Sequence, residues 1–404
     1  MKILHLLASV DPRDGGPVEG VRRSGLAMRD AGHEIEVATC DAPDAAHVSA
    51  FPFAVHALGP TRNRYSYSER LVPWLETNAR RFDAVVVHGL WQYHGLAAWK
   101  ALHGGPVPYY VYAHGMLDPW FKEAYPLKHL KKWLYWPWAE YRVLRDARAV
   151  IFTTEEECTR ARRSFWLYRA QERIVPFGTT VPPLAAEPLR EAFLQAMPEL
   201  RGKRIVLFLG RVHAKKGCDL LIDAFARVAT RDPALHLLIA GPDETGWAAA
   251  LRSQAEAAGI GDRVSLPGML QGDMKWGAFH ASDVFALPSH QENFGVAVAE
   301  ALGCGLPALI SDKVNVWREI ETDGAGLVAS DTVEGTQRSL ERWLELDAPA
   351  RAAMRAQATQ TFTARFRIET MVSALTALLE QKGSADASRD AALGALREMT
   401  QPGR

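Results

Sequence analysis

Along the chain, short apolar runs alternate with segments whose apolar residues fall three and four apart. These are the periods of buried strands and of the helices that cover them. Runs at residues 3–10, 34–40, 84–87, 108–113 and 149–153 predict one set of parallel strands. Between the first two, a helix is expected over 18–31, stopped by Gly32. Pro176, Pro182, Pro183 and Pro188 interrupt the alternation. It then restarts, with runs at 205–210, 235–240, 264–266, 284–287, 308–310 and 326–329. Strands alternating with helices build doubly wound parallel sheets, and two of them joined by a proline-rich linker predict a cleft. Ligands of such sheets bind outside the carboxyl ends of the strands. After Thr332 the pattern is helical, closing with an amphipathic stretch over 366–381 that carries Ile368, Met371, Leu375 and Leu378. From residue 382 the chain is small and polar and is expected to fray, with spacing for a short helix at 391–399.

The loops after these strands hold the candidate chemistry. Gly15 and Gly16 follow the first strand and open a helix, where backbone can approach a phosphate or a transferred sugar. An ordinary turn would use the same pair. They do not make Gly-x-Gly-x-x-Gly, so a dinucleotide-dependent oxidoreductase loses support. His114, in Tyr-Ala-His-Gly-Met-Leu-Asp, stands at the carboxyl end of its strand, facing the cleft. Asp118 in the same run reads as a helix cap. Arg211 and Lys216 lie in Gly-Arg-Val-His-Ala-Lys-Lys-Gly, which closes the first strand of the second half. A departing diphosphate needs fixed positive charge, and Arg offers a fork where Lys offers a point charge. A solvated basic turn accounts for Lys215 better than for Lys216. The run from Pro288 to Leu306 joins a strand, a polar turn with Glu292, Asn293, Phe294 and Gly295, and a helix carrying Glu300. Amides at the start of that helix can hold anions and sugar hydroxyls, and two carboxylates eight residues apart can grip different parts of one ligand.

This last segment resembles the Glu–seven residues–Glu signature of retaining GT-B glycosyltransferases, most closely family four. Gly-Arg…Lys-Gly at 210–217 and His-Gly at 114–115 are similar to other motifs of that family, and the likeness runs over about residues 1–380. It implies a GT-B fold of two Rossmann-like domains: 1–182 for the acceptor, 183–365 for the nucleotide-sugar, a helix at 366–381 bracing the first domain, and a tail at 382–404. It also implies roles. Arg211 and Lys216 would clamp the diphosphate, and His114 and Glu292 would hold the donor sugar. Glu300 would accept from the ribose, with backbone contacts from Asn293, Phe294 and Gly295, and Met269 in Leu-Pro-Gly-Met-Leu would lie by the base. The implied activity is retaining transfer of a hexose-type sugar from a nucleotide-diphospho-sugar to a saccharide or lipid-linked hydroxyl, without a metal, in bacterial surface-polysaccharide synthesis. A sugar phosphorylase, a nucleotide-sugar epimerase and a non-catalytic sugar-nucleotide-binding protein are the competing readings.

Composition adds little until it is resolved along the chain. Apolar residues make up 48% and charged ones 23%, with formal net charge zero, so global charge offers nothing to nucleic acid. Residues 1–181 nevertheless hold 23 Lys and Arg against 19 Asp and Glu. Residues 120–148 alone hold seven against three, which is the whole of that excess. Within 120–144, Trp120, Trp133, Tyr135, Trp136 and Trp138 interleave with Lys122, Lys128, Lys131 and Lys132. Such a stretch either lies on an anionic membrane or packs internally with its lysines snorkelling outward. The four cysteines show no ligand or disulfide spacing and read as reduced thiols of a cytoplasmic protein, at most resting on the inner membrane face.

Overall fold

The computed structural model describes residues 1–61 and 63–381; the expected tail at 382–404 lies outside them. Seven parallel strands form the first sheet: β1 (Lys2–Leu6), β2 (Glu34–Thr39), β3 (Ala54–Ala57), β4 (Ala84–His88), β5 (Tyr109–Tyr112), β6 (Ala149–Phe152) and β7 (Glu172–Ile174). Their order is β3-β2-β1-β4-β5-β6-β7. Six more form the second: β8 (Arg204–Leu209), β9 (Leu235–Ala240), β10 (Val264–Gly268), β11 (Val284–Leu287), β12 (Ala308–Ser311) and β13 (Gly326–Ala329), ordered β10-β9-β8-β11-β12-β13. Each sheet reverses its winding once, between β1 and β4 and between β8 and β11. Ligand crevices of doubly wound sheets open at such switch points.

Differences from the sequence reading have simple causes. The first strand stops at Leu6 rather than residue 10, although Leu7 and Val10 stay buried. Edge strands β3 and β7 were not expected, since Ala-Val-His-Ala and Glu-Arg-Ile are too short and too exposed to show an apolar run. Strand β10 runs through Pro267 to Gly268; as an edge strand it tolerates a residue with no N–H. The first helix starts earlier, at Gly16, and ends at Asp30.

The last helix, Ile368–Glu380, returns to the first sheet. Its Ile368, Met371, Val372, Leu375, Leu378 and Leu379 share a core with Ile3, Met28, Tyr110 and Ile151. Burying each such side chain contributes roughly 1.5–3 kcal/mol. The two passages of chain between the sheets run side by side: Thr179 N–H donates to Phe366 O at 2.8 Å, and Ile368 N–H donates to Thr179 O at 3.0 Å. A Cβ on Gly178 would stand 2.5 Å from Arg367 O, so no other residue fits there.

The stretch at 120–144 is three helices, Trp120–Ala124, Pro126–Tyr135 and Glu140–Asp146, and it divides between its two readings. Trp136, Val143 and Leu144 are buried, whereas Leu127, Leu130, Trp133, Leu134 and Trp138 are exposed. Among the described residues no helix is long and apolar enough to cross a membrane.

Candidate active site

The carboxyl ends of both sheets meet, and the loops after β5 and β6 touch the loop after β11. After β5 the chain turns through His114 and Gly115, both left-handed, with φ of +49° and +71°. A Cβ on Gly115 would lie 2.8 Å from Asn293, so glycine is required by conformation and by the opposing loop. The buried Glu157 holds this turn, accepting from Gly115 N–H at 2.6 Å and from Thr153 N–H at 2.7 Å. Asn293 reaches Thr153 Oγ1 across the cleft at 3.4 Å. The phenyl ring of Phe294 is core, against Phe177 and Phe366, leaving only its backbone to the site. Gly295 N-caps the Val296–Gly303 helix.

Glu292 and Lys216 form an ion pair between the β11 and β8 loops. Burial alone would raise the Glu292 carboxyl, but Lys216 and then Lys215 outweigh it and hold it below the usual carboxylate range. Lys215 is held down to about 8, by burial first and then by Lys216. The charges acting on it include Glu292, Arg211 and Asp118, which places all of these in one electrostatic neighbourhood. Thus Lys215 belongs to the site and is not the solvated lysine its sequence suggested. Arg211 is exposed and makes no ion pair with a described residue. Asp118 accepts from Trp120 N–H, at the start of the next helix, at 2.9 Å, and its other oxygen meets Arg160 and Gln291 at 3.4 Å each.

Glu300 sits in the second turn of its helix rather than just inside its start, and it is 3% exposed. It accepts from Lys275 Nζ at 2.8 Å and from Arg23 Nη1 at 3.3 Å, the latter from the first helix of the other domain. Neither cation was singled out in the sequence, where nothing distinguishes them from surface charges. Beside them runs an open groove of about 710 Å³, lined by Arg22, Arg23, Met269, Gln271, Lys275 and Trp276. Met269 is well exposed there. Gly15 and Gly16 lie at the carboxyl side of β1, at the head of the helix bearing Arg23, with open space around both. No group of three or more His, Cys, Asp or Glu that could hold a metal occurs among the described residues.

Two parallel-sheet domains with their carboxyl ends facing, and cations and carboxylates gathered between them, define a GT-B glycosyltransferase. Residues 190–361 match the family described as glycosyl transferases group 1, and residues 15–178 match the glycosyl transferase 4-like domain. The chain belongs to this family and is a transferase. It is 27% identical over 373 residues to a GDP-mannose:cellobiosyl-diphosphopolyprenol alpha-mannosyltransferase of Xanthomonas campestris, covering 91% of this chain and 93% of that protein. In fold it is similar to Anabaena HepE solved with UDP (TM-score 0.76, 19% identity, 94% of this chain and 99% of that one). It is also similar to sucrose-phosphate synthase of Thermosynechococcus elongatus (TM-score 0.74, 20% identity, 94% and 99%).

Proposed function

We propose that the enzyme transfers a hexose-type sugar, with retention, from a nucleotide-diphospho-sugar to a hydroxyl of a saccharide or lipid-linked acceptor in bacterial surface-polysaccharide assembly. The observation that carries this reading is the Lys216–Glu292 pair, with Lys215 and Arg211 beside it, facing the His114–Gly115 turn across the cleft. In this reading Lys216 and Arg211 take the diphosphate and Glu292 takes a sugar hydroxyl, each ligand group replacing one partner of the pair. Charge on the departing diphosphate is then met by fixed cations rather than by a metal. His114 lies against the sugar, Glu300 accepts from the ribose, and the amides of Asn293, Phe294 and Gly295 together with the Met269 loop complete the donor site. Gly15 and Gly16 give the donor a close backbone approach. The acceptor hydroxyl attacks from the face the diphosphate leaves, and a phosphate oxygen takes its proton. The relative from Xanthomonas, whose name gives a GDP-mannose donor and a diphosphopolyprenol-linked acceptor, supports a lipid-linked acceptor here.

The deciding experiment incubates purified protein with UDP, GDP and ADP sugars, with and without acceptor saccharides. Nucleoside diphosphate released only with acceptor, and a product whose anomeric proton signal keeps the donor's configuration, are expected. Sugar 1-phosphate would mean a phosphorylase, an isomerised donor an epimerase, and tight binding without turnover a binding protein.

The exposed Leu127, Leu130, Trp133, Leu134 and Trp138, with Lys122, Lys128 and Lys131 exposed near them, support a peripheral seat on an anionic membrane at its cytoplasmic face. Lys128→Glu with Lys131→Glu is expected to abolish flotation with anionic liposomes; unchanged flotation would end this part of the reading.

A further inference from the structure

The function above uses one histidine, but the structure lines up three. His5 in β1, His88 at the end of β4 and His114 after β5 lie on three adjacent strands. His5 pairs in register with Val86, two residues before His88, and His88 with Tyr112, two before His114. Their rings are linked: His5 Nδ1 to His88 Nε2 at 2.8 Å, and His88 Nδ1 to His114 Nε2 at 3.0 Å. The ring of Tyr112 stacks against both His88 and His114. At the inner end, His5 Nε2 is sealed without a partner. At the outer end, Nδ1 of the half-buried His114 makes no hydrogen bond to a described residue and is not among the sealed atoms.

Burial keeps these rings neutral at pH 7, so each carries one N–H. With two links and three protons, the donors must all run the same way. Running inward, His5 would bury an N–H with no acceptor; running outward, it buries only a bare lone pair. Orphaned buried donors are the rarer of the two in proteins. This core already accepts the second arrangement. His94 is sealed and meets the carbonyl of His88 through Nε2, which must therefore donate, leaving its Nδ1 bare and unpartnered.

We propose that His5 and His88 are positioning residues that fix His114 as an Nδ1–H donor, making it a neutral hydrogen-bond donor to an oxygen of the transferred sugar and not a base. The assignment of the oxygen to the sugar rests on the function proposed above; the tautomer does not.

Nitrogen NMR of protein labelled in its histidine rings tests this, because protonated and bare ring nitrogens resonate far apart. Signals of His114 are identified by their loss in His114→Gln. At pH 7 a protonated Nδ1 and a bare Nε2 are expected on His114; the opposite tautomer, or a doubly protonated ring, overturns the proposal. His5→Gln still offers a donor to His88 and is expected to retain the tautomer. His5→Leu leaves His88 Nε2 bare rather than its N–H orphaned, so the tautomer is expected to stay there too. His5→Glu, with its carboxyl shown to be ionised by infrared spectroscopy, offers only an acceptor, so both links should reverse, His114 should carry its proton on Nε2, and turnover should fall roughly tenfold, about the worth of one hydrogen bond. An unchanged tautomer in that folded His5→Glu protein also overturns the relay. Since the spectrum needs no substrate, correct tautomers without sugar transfer would count against the proposed function instead.

Discussion

Glu292 and Glu300 come from one short segment, yet they are held in different ways. Glu292 draws its cation, Lys216, from its own domain. Glu300 is shared between Lys275 of its own domain and Arg23 of the other. The first pair survives any separation of the domains, whereas the second loses a partner as soon as they part. One carboxylate is therefore a fixed feature of the second domain, and the other reports whether the cleft is closed.

The largest expected effect tests the fixed member. Lys216→Ala should cut kcat by 10²–10³, about 3 kcal/mol of transition-state stabilisation, while circular dichroism and melting stay near native. A near-native rate would remove Lys216 from the chemistry. Next, Glu300→Ala leaves Lys275 without its carboxylate and Arg23 with Glu19 alone, and should raise the donor KM by roughly ten- to a hundredfold, with kcat less affected. A fall in kcat alone would mean that Glu300 acts on the transition state and not on donor binding. Smaller is the effect of pH through Lys215. Its ammonium loses its proton above about 8, so positive charge beside the pair is present below that pH and lost above it. Nucleoside diphosphate affinity measured calorimetrically should then fall by roughly tenfold or less from pH 7 to pH 9, and the fall should vanish in Lys215→Met. Smallest is Arg23→Ala, expected to raise donor KM by a few-fold with no change in Lys216→Ala-type behaviour, about the worth of one partly exposed ion pair. An effect of Arg23→Ala as large as that of Glu300→Ala would erase the distinction between the two carboxylates.

The same contrast explains what the sequence discloses. Strand β11 is an unbroken apolar run and is read residue for residue, because burial on both faces leaves no room for polar positions. Arg211, Lys216, Glu292 and Glu300 stand out because glycines and charges recur at fixed distances from strand ends. Arg23 and Lys275 do not, because a cation on a helix surface looks the same whether it meets solvent or a carboxylate on another element, 277 residues away for Arg23 and 25 for Lys275. His5 and His88 are hidden for a related reason: polar residues inside apolar runs show their purpose only when neighbouring strands bring the rings together. At 120–144, Pro126 and Pro137 break what looked like one amphipathic stretch, so it packs on one side and stays bare on the other.

The Ile368–Glu380 helix also dictates an order of events. A ribosome delivers every strand of the first sheet long before it delivers the helix that seals Ile3, Met28 and Tyr110 beneath it. That half, although made first, finishes its core last, after the entire second sheet and its helices have been synthesised between its two parts. Nascent chains arrested near residue 360 should therefore expose a sticky apolar face on the older half, and the newborn enzyme closes like a belt whose buckle is made at the end.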